Sequence, residues 1–295
     1  MSTEQTTLLL PLVSTGNVPQ LSVDLILHSL SDEFEFVKSI DSTFLHPFVG
    51  PLDYGIDQTE PVLYTQSSFL ETPSVKKFST ALELFYNKSK RVYVLQQRTP
   101  TIQGYLNNFI KDTLIPLIKE LQITNISVLD SFGPLDEKII KRKLQSNNHN
   151  HKNIDPFFSM GVCELQSIGN LVSNFDSTLR LQMDPDTSLH YTNSIFKFTP
   201  SSLIDEISTD QPIFKLTYHL LNDQNLTNLK EVKYCTLFVH EGDNSIDAKL
   251  FCEHLPDLIN SSSDCKITKF RTPISWKGVY GFSELPSTFE EGIYI

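Results

Sequence analysis

The stretch Thr7–Leu30, TLLLPLVSTGNVPQLSVDLILHSL, decides the fold. It reads as a buried strand, a Gly-Asn turn and a helix. Leu8, Leu9, Leu10, Leu12 and Val13 form a short, nearly continuous apolar run. A strand covered on both faces has no solvent side on which to alternate polar residues, so such a run suits the middle of a helix-covered sheet, although periodicity alone also allows a buried helix. Gly16 permits a tight backbone turn, Asn17 is a candidate helix cap, and Pro19 fits a first helical turn, where a missing N–H costs little. The helix that follows is apolar nearly all round: Val18, Leu21, Val23, Leu25, Ile26, Leu27 and Leu30. Its polar members, Ser22, Asp24, His28 and Ser29, do not collect on one face. It therefore needs cover on more than one side, from its own sheet and from a second body, a partner chain being one candidate.

The same design recurs further along. Arg91–Gln97 (RVYVLQQ) reads as a strand and is followed by the strongest helical pattern in the chain, Gln103–Leu121, with Leu106, Phe109, Ile110, Leu114, Leu117, Ile118 and Leu121 at helical spacing. Pro116 lies inside it and should bend it, because its ring displaces a backbone hydrogen bond one turn earlier. Ile123–Leu129 is another buried strand. Tyr234–Val239 (YCTLFV) leads through His240-Glu241-Gly242-Asp243-Asn244 into a helix over Ser245–Leu255 that stops near Pro256. Strands alternating with helices predict a three-layer α/β/α sandwich around a mostly parallel or mixed sheet. Weaker patterns suggest strands at Val62–Phe69, Leu179–Met183 and Ile195–Phe198, a strand or helix at Phe78–Tyr86, a helix at Gly161–Phe175 and a partly helical Ser201–Asn222. Ser39–Glu60 reads as an irregular connection. Residues 1–282 form the expected single domain, with a polar insert near 144–153 and a tail from 283 to 295.

Composition narrows the function. The chain has 295 residues, 39% of them hydrophobic and 20% charged, enough apolar material for a sizeable core. A formal net charge of −11 opposes a nucleic-acid partner, whose phosphates it would repel. The four cysteines, Cys163, Cys235, Cys252 and Cys265, contain no CxxC pair, which points to a reducing compartment without a disulfide framework or zinc site. No stretch is long enough for a membrane span, and no cofactor is expected.

Chemistry has little motif support. Glu241 and Asp243 flank Gly242 at the carboxyl end of a strand, where open α/β sheets bind ligands, but acids there also cap the next helix. Ser14-Thr15-Gly16-Asn17 sits where an anion can be cradled, yet it lacks both a GxGxxG pattern and the lysine of a phosphate loop. His149 and His151 have no third metal ligand nearby. No nucleophile elbow, zinc-helix motif or Cys/His nucleophile pattern occurs. The final residues, Ile293-Tyr294-Ile295, differ in kind: large apolar groups beside a carboxylate on a polar tether suit a pocket that captures a chain end.

LLLPLVSTGNVPQLSVDLIL, FVHEGDNSIDA and ISWKGVYG, in that order, resemble the proteasome assembly chaperone 2 family. Val13, Ser14, Gly16, Asn17 and Val18 match its first turn; Glu241, Gly242, Asp243 and Asn244 its second; Ser275 and Trp276 its tryptophan segment. Leu135–Tyr191 matches nothing in that pattern. The resemblance implies a non-enzymatic protein of the cytoplasm and nucleus that pairs with proteasome assembly chaperone 1 on the outer face of the proteasome α-subunit ring during assembly of the 20S core particle. It also implies that Ile293, Tyr294 and Ile295, as a hydrophobic-tyrosine-any motif, enter a pocket between α subunits. The competing expectation is a nucleoside-phosphorylase-like enzyme using Glu241, Asp243 and the Ser14–Asn17 turn.

Overall fold

A computed structural model describes residues 5–72, 75–133, 158–164, 212–223, 225–240, 242–259 and 266–280 of the chain, with the backbone alone over 158–164. Its centre is a seven-stranded sheet. In chain order the strands and helices are β1 (Thr7–Pro11), α1 (Val18–Ser29), β2 (Glu35–Ser39), β3 (Val49–Pro51), α2 (Val62–Thr65), β4 (Phe78–Thr80), β5 (Leu82–Asn87), β6 (Val92–Gln97), α3 (Leu106–Asn108), α4 (Ile115–Glu120), β7 (Asn125–Phe132), β8 (Phe158–Glu164), α5 (Pro212–Asn222), β9 (Glu231–Phe238), α6 (Ser245–Glu253) and α7 (Leu255–Leu258). The strand order is β2-β5-β6-β1-β7-β9-β8. The four central strands, β6, β1, β7 and β9, run parallel. The outer pairings β2–β5, β5–β6 and β8–β9 are antiparallel, so the sheet is mixed.

Strand β1 lies in the middle, and its two faces explain its composition. Leu8 and Leu10 enter one core with Ile110, Leu114 and Leu117 of the helical stretch after β6 and Leu216 and Leu220 of α5. Leu9 enters the other with Leu25 and Ile26 of α1, Phe251 of α6 and Leu258 of α7. Helices thus cover both faces, and the three-layer expectation holds. Each face excludes water, so neither alternate position tolerates a polar residue.

Helix α1 is buried almost throughout, and its cover comes from this chain. The sheet takes one side, α6 another, and the segment Arg271–Trp276 a third. No partner is needed to bury it. Ser22 shows how the polar members are accommodated: its hydroxyl donates to Val18 O at 2.7 Å within the helix and lies 3.3 Å from Ala248 O of α6.

Several local expectations change. Val62–Thr65 is a helical turn, not a strand. Tyr64 there packs against Phe36 and Phe85 at ring-centroid distances of 5.5 and 5.8 Å and donates its hydroxyl to Glu83, so tertiary packing overrides β propensity. Phe78–Tyr86 resolves into strands β4 and β5. The connection Ser39–Glu60 carries β3, which pairs with β4. Residues 161–164 belong to β8 rather than to a helix. Between α3 and α4 the backbone is π-helical over Phe109–Leu114, and the Ile115 N–H reaches back to Ile110 O. This wider turn directly precedes Pro116, whose ring cannot sit over an ordinary α-helical carbonyl. The helix over Ser245–Leu255 ends at Glu253, with a further turn, α7, carrying Pro256 at its start. The stretches 144–153, 179–183 and 195–198 lie outside the described residues.

Candidate functional site

The turns that follow β1 and β9 meet at the carboxyl ends of the parallel strands. After Pro11 the chain passes through Ser14 into a short 3-10 turn at Thr15–Asn17. Gly16 (φ 69°) and Asn17 (φ 53°) both lie in the left-handed region, which glycine adopts freely and asparagine tolerates better than most. Asn17 makes no side-chain cap hydrogen bond. Its contribution is this backbone conformation, which corrects the capping expectation.

The side chains around this turn are committed to one another. The Ser14 hydroxyl accepts the Ser131 N–H at 3.0 Å, lies 2.8 Å from the Ser131 hydroxyl, and points toward Leu12 O at 3.3 Å. Ser131 Oγ in turn donates to Thr15 O at 2.5 Å. Asn244, fully buried after β9, places its side-chain amide 3.2 Å from Gly242 O and 3.4 Å from Gly16 O. A Cβ at Gly16 would stand 2.3 Å from the Asn244 amide nitrogen, and one at Gly133 would stand 2.8 Å from Thr15 Cγ2. Two glycines thus admit neighbouring side chains into the crevice where related sheets hold ligands.

Asp243 accepts the Ser245 N–H at 3.0 Å, the short-range capping bond that favours the start of α6. This fits the capping reading of the acidic turn. Gly242 takes φ 144° with open space beside its α-carbon. Glu241 lies outside the described residues, as do Ile293, Tyr294 and Ile295. Among the described residues, no group of three His, Cys, Asp or Glu side chains is placed to hold a metal ion, and no helix is long and apolar enough to cross a membrane.

A second polar cluster was not foreseen. Trp276, buried beneath the surface, directs its indole N–H at Asp24 Oδ2, 3.5 Å away. Asp24 also accepts the Gln96 side-chain amide. Burial pushes the Asp24 carboxyl up to about 6, although the nearby Arg98 guanidinium works against that rise. One turn later on α1, burial lowers His28 to about 4, with the opposing pull of Asp53 too weak to restore it. Arg98 donates to Gln96 Oε1 at 2.8 Å. Its pKa is raised: burial disfavours the charge, but the combined field of Asp24, Tyr64, Glu83 and Asp53 holds the proton. Asp53 accepts the Ser275 N–H and hydroxyl. Sequence spacing carries no signal for this cluster, because its members come from α1, the loop after β3, the end of β6 and the Trp276 segment. The polar residues within an otherwise apolar α1 were the available hint.

The PAC2 family model matches residues 8–258. The chain is 36% identical to Saccharomyces cerevisiae proteasome assembly chaperone 2 over 286 residues, covering 96% of this chain and 97% of that protein. It is 24% identical to the Danio rerio protein of the same description over 294 residues, covering 96% of this chain and 94% of that one. Among solved structures, Pyrococcus furiosus PbaA, an archaeal homolog of proteasome-assembly chaperone, aligns over 88% of this chain and 83% of its own at 10% identity, with a TM-score of 0.39. With the family model spanning both turns and nearly all of the described sheet, the chain belongs to the PAC2 family.

Proposed function

We propose that this chain is a non-catalytic chaperone for assembly of the 20S proteasome core particle. The observation that carries this reading is the 36% identity to the yeast proteasome assembly chaperone 2 across almost the whole of both chains. The local chemistry agrees: the Ser14 hydroxyl bonds Ser131 at the end of β7, the Asn244 amide reaches Gly16 O, and Asp243 accepts the Ser245 N–H of its own helix.

In the finer form of this reading, the chain pairs with proteasome assembly chaperone 1, works in the cytoplasm and nucleus, and binds the outer face of the α-subunit ring. Ile293 and Tyr294 fill apolar space in a pocket between α subunits, while the Ile295 carboxylate pairs with a pocket lysine, an attraction strengthened by the low-dielectric wall. A three-residue plug is a weak ligand alone. Joined to a broad surface contact it binds at high effective concentration, and losing it should weaken ring binding by roughly tenfold or more.

The test is removal of Tyr294 and Ile295, or addition of one residue after Ile295. Pairing with chaperone 1 should survive while affinity for α rings falls. Unchanged ring affinity in both variants would refute the plug. Failure to bind proteasome α subunits at all would refute the chaperone reading.

A further inference from the structure

Arg271–Trp276 is strapped across α1 and the loop after β3. Backbone bonds run from Ile56 N to Thr272 O at 2.8 Å and from Ile274 N to Tyr54 O at 2.7 Å. The Arg271 N–H donates to Ser29 Oγ at 2.9 Å, and its Nη1 donates to Ser31 Oγ at 2.8 Å. The Arg271 stem crosses Gly55 so closely that a Cβ there would stand 2.2 Å from Arg271 Cδ. Ile267 and Trp276 are buried in the core that α1 shares with α6, and Phe270 and Tyr280 pack against it in part. An irregular backbone is thereby held in one place, so the side chains it turns outward are presented without a further cost of ordering.

The charged side chains of this stretch are all of one sign. Residues 266–280, KITKFRTPISWKGVY, carry Lys266, Lys269, Arg271 and Lys277 and no acid, in a chain of formal net charge −11. Lys266, Lys269 and Lys277 are exposed, the Lys269 side chain at 82%. Asp57 lies 2.9 Å from Arg271 Nε and 3.7 Å from Lys269 Nζ. Neither Lys266 nor Lys277 is paired with an acid among the described residues. Two large apolar side chains are exposed on the same segments: Val279, at 62%, whose N–H reaches Trp276 O, and Ile56, at 40%, which is tied to Thr272. A run of lysines alone is a solvated face; unpaired lysines beside exposed apolar groups on a fixed backbone also suit a protein surface of opposite charge.

We infer that the outer side of the strap is a docking surface for an acidic segment of a protein partner. Lys266, Lys269 and Lys277 steer that segment in, and Val279 and Ile56 take its apolar side chains. An extended polyanion, such as nucleic acid or an anionic membrane, would run past the patch and meet the negative charge of the rest of the chain, whereas a short acidic segment would not. The inference rests on the docking reading above, which supplies the two candidate partners, α rings and chaperone 1.

Three double variants are made in the full chain: Lys266→Glu with Lys277→Glu, the same two lysines changed to Gln, and Ile56→Ser with Val279→Ser. Lys88→Glu with Lys111→Glu, at two exposed lysines elsewhere, makes the same change in net charge and serves as the control. Trp276, the single tryptophan, reports whether the strap stays seated. Association and dissociation rates with α rings and with chaperone 1 are read at low and high salt. The expected result is a roughly tenfold slower association of the Glu pair with one of these partners at low salt and a smaller slowing of the Gln pair, both fading at high salt as the charges are screened. The Ser pair should leave that same partner severalfold faster at either salt, with Trp276 emission unmoved in every variant. Unchanged association of the Glu pair with both partners would overturn the inference, as would equal slowing in the control, which would make the effect one of net charge alone. So would unchanged dissociation of the Ser pair, or a loss accompanied by red-shifted Trp276 emission in the Glu and Gln pairs alike, which would mean a structural role. Strap-dependent capture of phosphatidylserine vesicles or of single-stranded RNA, with protein binding intact, would overturn the choice of partner. A parent chain that binds neither α rings nor chaperone 1 overturns the docking reading and this inference together, and a parent that binds with rates indifferent to the strap overturns this inference alone.

Discussion

The side-chain amide of Asn244 lies 3.4 Å from the carbonyl oxygen of Gly16, across 228 residues of sequence. That contact joins the turn after β1 to the turn after β9 and accounts for the residue types on both sides. Gly16 is required twice over, by its positive φ and by the space Asn244 occupies.

Gly16→Ala is therefore expected to destabilise the fold by about 2–4 kcal/mol, through backbone strain and a clash with the Asn244 amide. Asn244→Ala should remove the clash but not the strain. Urea unfolding of both single variants and the double variant checks this: the double should be more stable than the sum of the two losses predicts. Strict additivity would mean that the two turns are not in contact.

Gly55→Ala tests the strap in the same way without touching a charge. The added methyl must displace the Arg271 stem, at a cost of about 1–3 kcal/mol. Trimming that stem with Arg271→Ala in the Gly55→Ala background should restore part of the loss in thermal unfolding. A Gly55→Ala protein as stable as the parent would contradict the packing described.

Cys235 and Cys252 are fully buried, and Cys252 is a free thiol. Cys252 lies 3.4 Å from Ser22 O, and burial pushes its pKa up, with Glu253 adding to the rise. The thiolate is the reactive form. Neither position should be alkylated by iodoacetamide in the folded protein, and both should react in denaturant. Peptide mapping of labelled chains distinguishes them from Cys163 and Cys265. Rapid native labelling of Cys252 would show that α1 and α6 separate readily.

How much of this was legible beforehand depended on sequence distance. The β1–turn–α1 unit was, because its apolar run, Gly16 and Pro19 are neighbours whose local preferences agree with the fold. The π-helical stretch was partly so, since Pro116 announced a disturbance but not its form. Helix α2 was not, because Val62, Tyr64 and Thr65 favour strands in isolation, and distant partners, Phe36, Phe85 and Glu83, hold Tyr64 in a helical turn. The two signature turns could each be read, but not their contact. Asp24 and Asp53 carried no readable role, because their strap partners lie 252 and 222 residues away.

Asp24 and His28, one turn apart on α1, should have opposite and nearly cancelling effects on the pH dependence of stability. Asp24 has a folded pKa of about 6 against its ordinary value of 3.8, so between those values the folded state holds the proton more tightly than the unfolded chain does. By itself it makes stability fall as pH rises from about 4 to 6. His28 has a folded pKa of about 4 against 6.5, so the folded state holds its proton less tightly over about pH 4 to 6.5. By itself it makes stability rise with pH over that window. Near pH 5 the folded pair is neutral at both sites while the unfolded pair is a carboxylate and an imidazolium, so both states bind the same number of protons. The parent should therefore show little net slope from these two groups. Asp24→Asn leaves the His28 contribution exposed, and stability should climb by on the order of 3 kcal/mol between pH 4 and 6.5. His28→Gln leaves that of Asp24, and stability should fall by a similar order between pH 4 and 6. Urea titrations of the parent and both variants at half-unit pH steps read the slopes, compared after subtracting the parent curve so that exposed carboxylates drop out. Slopes of the same sign in the two subtracted curves would show that burial does not govern both groups.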